Sequence, residues 1–145
     1  MIGLLQRVKA ASVRVEGELI ARIDHGLLVL VGVARGDAEA NADKLATRLL
    51  GYRLFADEAG KMNRSVLDVQ GGVILVPQFT LAADTDSGTR ASFTTAAEPA
   101  RAAALFAQLL QAVRLQLPTV QAGRFGADMQ VALVNDGPVT FWLES

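Results

Sequence analysis

The chain has 145 residues, of which 51% are hydrophobic and 20% charged, with a net charge of −1, one histidine and no cysteine. This length fits a single domain, residues 1–145, that buries roughly 68–70% of its unfolded surface, and the missing cysteines exclude disulfides, thiolate catalysis and cysteine metal sites. Scattered Lys and Arg on a near-neutral chain lack the basic face needed to grip a long duplex, which leaves contact with one end of a nucleic acid open.

Met1-Ile2-Gly3-Leu4-Leu5-Gln6-Arg7 enters structure at once, without the basic stretch, apolar core and small-residue cleavage site of a secretory leader. No apolar run nears the roughly 20 residues that span a bilayer. A cytoplasmic protein is expected. Residues 4–8 read as a strand leading into residues 11–15, where Val13 and Val15 alternate with polar neighbours. Glu16-Gly17-Glu18 suits a hairpin turn, residues 19–23 return, and Asp24-His25-Gly26 turns again. Gly26-Leu27-Leu28-Val29-Leu30-Val31-Gly32-Val33 is apolar on both faces, the mark of a buried strand.

Asp37 is the expected N-cap of a helix reaching about Leu50, with Ala38, Ala42, Leu45, Ala46 and Leu49 along one stripe. Residues 53–55 read as a short strand and Asp57-Glu58-Ala59-Gly60-Lys61 as a polar turn. Gly71-Gly72 precedes a buried strand, Val73-Ile74-Leu75-Val76, which ends in the polar island Gln78-Phe79-Thr80-Leu81. Residues 82–97 show no period and read as a loop beside that island. Pro99 opens the longest helix, which buries Leu105, Phe106, Leu109, Leu110, Val113 and Leu117 and stops at Pro118. Residues 119–125, 129–134 and 139–143 close the chain as strands around a second island, Asn135-Asp136-Gly137-Pro138-Val139-Thr140. The expected fold class is α+β: a mostly antiparallel, curved sheet or half-barrel packed with two main helices.

Few side chains can carry chemistry. His25, the one histidine, lies in a tight turn and reads as an exposed turn residue rather than a triad base. A single histidine also argues against zinc hydrolysis. Asp84-Thr85-Asp86 lacks the further oxygen ligands of a calcium loop and reads as turn chemistry; no metal and no cofactor is expected. Gln78 and Thr80 fit two readings. They are what any buried strand shows on reaching solvent, and they are also placed to open backbone N–H groups toward a pocket as an oxyanion hole. Thr80 acts as a nucleophile only with a base, and the sequence offers none. Asp136-Gly137-Pro138 reads either as a hairpin turn or as a main-chain steric gate, since glycine permits close approach and proline is rigid and lacks an N–H.

Taken together, several motifs closely resemble the D-aminoacyl-tRNA deacylase family. They are Leu5-Gln6-Arg7-Val8, Gly26-Leu27-Leu28-Val29-Leu30, Gly60-Lys61-Met62-Asn63, the run from Gln78 through Thr85, Gly123-Arg124-Phe125, Met129-Gln130-Val131, and the run from Asn135 through Trp142. The resemblance implies an editing hydrolase that cleaves the ester between a D-amino acid and the 3′-terminal adenosine of tRNA, and that also clears mischarged glycine. It implies a homodimer with active sites at the subunit interface, where Gly137 and Pro138, joined by a cis peptide, enter the partner's pocket. Their carbonyls would collide with an L side chain, so chirality is enforced by rejection.

The resemblance further implies that the terminal adenosine's 2′-hydroxyl assists. Backbone amides near Phe79 and Thr80 hold the oxyanion, Gln78 organises the pocket, Arg7 supports the Gly-Pro loop, and Phe79 and Met129 line the adenosine site. Ordinary core packing is the competing reading of Phe79 and Met129.

Pro77 departs from the family pattern, which usually has serine there. A related variant deacylase with looser chiral selectivity also has proline, but its aromatic two residues later is replaced, whereas Phe79 is kept here. Pro77 removes a hydroxyl and an N–H, so weaker rejection of L esters is an expectation. Ala91, where proline is common in the family, is a minor loop change. Two readings from other classes compete, a catalytically silent module binding a tRNA 3′ end or a nucleotide, and a plain oligomeric scaffold. A deacylase specialised toward glycyl-tRNA is the alternative within the enzyme class.

Overall fold

The computed structural model describes residues 1–145. β1 (Ile2–Val15) is one uninterrupted strand where two were expected, and it organises the sheet. Along one edge its first half pairs antiparallel with β3 (Gly26–Gly32) and its second half with β2 (Glu18–Ile23). Along the other edge it pairs antiparallel with β8 (Gln130–Glu144). β6 (Gly72–Pro77) then joins β3 in parallel, and β7 (Gln121–Ala122) joins β6 in parallel.

The two parallel pairs follow from the helices. α1 (Glu39–Gly51) lies in the crossover from β3 to β6, and α2 (Pro99–Gln116) in the crossover from β6 to β7, as parallel pairing requires. The sheet is therefore mixed, with three antiparallel and two parallel pairs. It curls until β7 approaches β2, where the Gln121 side-chain amide accepts from Arg22 N–H at 2.7 Å and donates to Arg22 C=O at 2.6 Å. Closing contacts of this kind spare an edge from exposure. A separate two-stranded ribbon pairs β4 (Phe55–Ala56) with β5 (Met62–Arg64).

Gly26 shows why the β3–β6 pairing needs glycine at its start. Its φ is +147°, and a Cβ there would lie 1.9 Å from the Gly72 carbonyl oxygen, a separation no side chain can occupy. Two cores result. The larger, of 23 residues, fills the space between sheet and helices, with Leu45, Leu49, Leu105 and Leu109 facing Leu27, Val29 and Leu75. The smaller lies on the opposite face of the sheet and includes Val8, Val13, Leu28, Ile74 and Val76, with Met129 packed against it.

Several expected boundaries move. Asp37 does not cap α1: Ala38 holds that position, and its N–H donates to Asn41 Oδ1 at 2.9 Å. Asp37 instead accepts from the N-terminal ammonium at 2.5 Å and from Ala34 N–H at 2.7 Å. Of the α1 stripe only Ala38 is exposed. Residues 119–125 supply only the two-residue β7. α1 and α2 are tied by a forked pair, Arg101 to Glu39 at 2.7 and 3.2 Å, and the Arg101 hydrogen bond holds the Glu39 carboxyl down at about 2. No helix is long and apolar enough to cross a membrane.

Candidate active site

The buried strand β6 ends at Pro77, and the backbone then folds into a single 3-10 turn, Phe79–Ala82. Gln78 N–H is held by the Val31 carbonyl at 2.8 Å, and Leu81 N–H returns to Gln78 C=O at 3.3 Å. Phe79 and Thr80 open the turn, so neither of their N–H groups has an acceptor within it. The Gln78 amide donates to Thr80 Oγ1 at 2.5 Å. An amide N–H is a donor and cannot take a proton, so this contact orients the Thr80 hydroxyl without activating it.

His25 supplies no base either. It is exposed, stacks edge-on to Phe55 at 5.9 Å, and sits at the far end of β3 from Val31, six residues or about 20 Å away. The Asp84 carboxylate accepts from Asp86 N–H at 3.0 Å, a local turn bond. No three His, Cys, Asp or Glu side chains gather anywhere in the structure.

Beside the turn lies a cavity of about 480 Å³, walled by Pro77, Gln78, Phe79, Phe125, Met129 and Val131 among others. Phe79 is 58% exposed, which removes it from the core, and its ring leans on that of Phe93 at 5.1 Å. Met129 is half-buried, and its sulfur accepts from Arg124 N–H at 3.3 Å. Pro77 and Met129 crowd Gly123 from two sides: a Cβ there would meet the Met129 sulfur at 2.8 Å and Pro77 Cδ at 3.3 Å. The proline ring thus forms part of the cavity wall. A mostly apolar cavity with a few convergent polar groups is the usual form of a small-ligand site.

The second island is not a hairpin turn. β8 continues through it, with Asn135 opposite Val8 and Thr140 opposite Gln6, so residues 136–139 bulge out against the single residue Arg7. The Gly137-Pro138 peptide is cis and Gly137 has φ +142°. Arg7, with its side chain 16% exposed, reaches both ways: Nε donates to the Asp136 carbonyl at 2.9 Å and Nη1 to the Leu54 carbonyl at 2.7 Å. Asn135 clips the base of the bulge, accepting from Val139 N–H at 2.8 Å and donating to Thr140 Oγ1 at 2.9 Å. The Asp136 carboxylate lies 3.7 Å from Arg7 and 3.8 Å from Lys9.

Sequence reasoning gave Leu54 no role and Asn135 none beyond membership of the motif. Leu54 acts through its carbonyl, which leaves no trace in residue identity. Asn135 could have been singled out as an amide three residues before a proline in an otherwise strand-like run.

One chain does not bring its two islands together. Gln78 is bonded at the level of Val31, which pairs with Gly3, whereas the bulge sits at Arg7. The offset is four residues, about 13 Å along the strands; across them the 3-10 turn runs back toward the end of β8, where Thr80 and Trp142 line one open cavity. The bulge projects from β8, whose outer edge carries no strand partner. That edge presents Val134 at 56% and Trp142 at 49% exposure.

The family model described as D-Tyr-tRNA(Tyr) deacylase matches residues 4–144. A D-aminoacyl-tRNA deacylase of Stutzerimonas stutzeri (strain A1501) is 63% identical over 145 residues, covering all of both chains. One of Alkalilimnicola ehrlichii is 61% identical, covering all of this chain and 97% of the relative. Two solved structures share the fold. One, described as c-Myc DNA Unwinding Element Binding Protein, has a TM-score of 0.95 at 37% identity and covers 100% of this chain and 99% of its own. The other, described as a probable eukaryotic D-amino acid tRNA deacylase, has a TM-score of 0.86 at 16% identity, covering 99% and 98%.

Proposed function

From the premise that the chain belongs to the D-aminoacyl-tRNA deacylase family, we propose that it hydrolyses D-aminoacyl-tRNA, and glycyl-tRNA mischarged on tRNA(Ala), in the cytoplasm as a homodimer. Water adds to the ester carbonyl, and the bond to the 3′ oxygen breaks. Free amino acid and tRNA with a 3′ hydroxyl are released.

The terminal adenosine enters the 480 Å³ cavity, against Phe79 and Met129. The N–H groups of Phe79 and Thr80 receive the charge that develops on the carbonyl oxygen, a task worth about 2.7–4 kcal/mol per donor in well-studied cases. Gln78 fixes the turn that aims them. The substrate's own 2′-hydroxyl assists, which accounts for a site without an activated side-chain nucleophile. No cofactor takes part.

The single observation that carries this reading is the separation of the islands. A turn rich in free N–H groups and a rigid main-chain bulge lie too far apart to share a ligand in one chain, and the bulge stands on an unpaired edge with exposed apolar side chains. A two-fold partner supplies the missing half to each site. Gly137 and Pro138 of one chain then stand where an L side chain would project, while a D side chain or the single hydrogen of glycine passes. Pro77 lines the same cavity without the hydroxyl of a serine, so a reduced margin against L esters belongs to the proposal.

The test is hydrolysis of D-tyrosyl-, L-tyrosyl- and glycyl-tRNA side by side with purified protein. Loss of the D and glycyl esters with the L ester spared is expected. Stable complexes with all three, and no release of amino acid, would replace the hydrolase with a 3′-end-binding module.

A further inference from the structure

Beside the Gly137-Pro138 bulge runs an open groove of about 520 Å³ that the proposed reaction leaves unused. Arg48 from the last turn of α1, Tyr52 and Arg53 after it, Met62 of β5 and Phe141 of β8 line it. Both arginines lack a carboxylate partner. Arg48 donates to the Glu144 carbonyl, and Arg53 donates to Asn63 O at 3.0 Å and Oδ1 at 2.9 Å. Arg7, Lys9, Arg22, Arg64 and Arg101 each lie within ion-pair reach of an Asp or Glu; the other seven Lys and Arg do not, so what sets this place apart is two such arginines on one groove with an aromatic lining. A guanidinium has five N–H donors, so most of those on Arg48 and Arg53 remain free.

The apolar lining is also exposed in part. Met62 is 48% accessible, and Tyr52 and Phe141 form a tilted ring pair at 5.1 Å. Chain and hydrogen-bond connections tie the groove to the bulge. Arg7 bonds the Leu54 and Asp136 carbonyls at once, Leu54 follows Arg53, and Phe141 lies three residues beyond Pro138.

The N–H donors left over on Arg48 and Arg53 suit phosphate oxygens, and an aromatic lining suits the base and sugar faces of a single strand. Resting on the editing reading above, we propose that this groove binds the sugar-phosphate backbone of the single-stranded nucleotides that precede the terminal adenosine. The ester end sits in the partner's cavity, which the bulge enters. The strand leading to it passes over Arg48 and Arg53 of the chain that donates the bulge. Two local phosphate contacts of this kind suit a chain whose net charge is −1.

The test compares wild type with the double variant Arg48→Gln/Arg53→Gln and the charge-retaining Arg48→Lys/Arg53→Lys. Binding of uncharged tRNA(Tyr) is followed from 50 to 300 mM salt, and each protein is also assayed on D-tyrosyl-adenosine, which has no phosphates. Each single-strand phosphate contact contributes about 0.7 to the log–log salt slope. The glutamine variant is therefore expected to lose about 1.4 from that slope, which is roughly 25-fold weaker binding at 0.1 M salt if the curves meet at 1 M. The lysine variant keeps most of the slope, and cleavage of D-tyrosyl-adenosine stays as in wild type.

An unchanged slope overturns the proposal, as does a parallel fall on D-tyrosyl-adenosine, which would mean that the arginines only support the bulge. A wild type that fails to cleave D-tyrosyl-tRNA sinks the editing reading, and the salt slope then still decides whether the groove holds RNA.

Discussion

Gly137→Ala is the substitution whose consequence the structure sets most narrowly. At φ +142° an L side chain is strained wherever it has room, and here it has none. The new Cβ would lie 2.6 Å from Val139 Cγ2, 2.9 Å from Val139 N and 3.2 Å from an Arg7 guanidinium nitrogen. The methyl and the guanidinium can swing aside. The backbone nitrogen cannot, because its N–H is held by Asn135.

Restoring ordinary contact distance requires the bulge to shift by roughly 0.5–1 Å, on top of about 1–3 kcal/mol for the backbone conformation itself. Because the bulge stands on an edge, much of that strain relaxes locally, and a Tm drop of about 3–6 °C is expected for a chain of this length. Function falls further, since a displacement near 1 Å in a positioning group can cost on the order of 100-fold. The assay is kcat/KM on D- and L-tyrosyl-tRNA together with thermal unfolding. Unchanged D-ester hydrolysis with an unchanged D-to-L ratio would refute the gate.

Other changes separate side chain from backbone. Thr80→Ala removes a hydroxyl that only accepts from Gln78 and should keep kcat within about tenfold, less than the loss of one oxyanion donor; near-complete loss with folding and tRNA binding intact would place the chemistry on that hydroxyl. Asn135→Asp keeps an acceptor for Val139 N–H and another for the Thr140 hydroxyl, whereas Asn135→Leu keeps neither. D-to-L selectivity should survive in the first and fall in the second, and equal selectivity in both would remove the clip from the gate. Glu39→Gln tests the α1–α2 tie through pH. The Glu39 carboxyl is held down from 4.5 to about 2 by the Arg101 hydrogen bond, so its stabilising effect is present above 4.5 and is lost as pH falls toward 2. Melting curves of wild type and variant should differ at pH 7 and converge across that window.

Periodicity carried the reading of the fold wherever burial decided the outcome. Leu45, Leu49, Leu105, Leu109 and the continuous apolar runs of β3 and β6 lie where their spacing places them, because each must leave water and helix or strand period dictates which face can do so. It failed where tertiary pairing overrides local signals. β1 and β8 each read as two strands because residues 9–10 and the Asn-Asp-Gly-Pro run interrupt the apolar pattern, yet each strand pairs with the other on both sides of its interruption. Of residues 119–125, whose pattern predicts a strand, only Gln121 and Ala122 find β6. Asp37 was drawn from its capping position by the N-terminal ammonium, a partner 36 residues away that no window reveals.

The site was legible as two islands by composition, and as an enzyme only through resemblance. What a reading of residues could not supply is the geometry of main-chain groups: the opening of the 3-10 turn at Phe79, the Leu54 carbonyl that fixes Arg7, and the distance that keeps the islands apart within one chain.

The composite site is tested most directly by complementation. A chain with Gly137→Val has a sound turn and a spoiled bulge. A chain with Thr80→Pro lacks one N–H of the turn and keeps its bulge. Each should be inactive on D-tyrosyl-tRNA as a homodimer. In a random mixture about half the dimers combine the two chains, and each of these has one intact site out of two, so recovery of about one quarter of wild-type activity is expected. No recovery from mixed dimers shown to form and to bind tRNA would contradict the account, because turn and bulge would then have to act within the same chain.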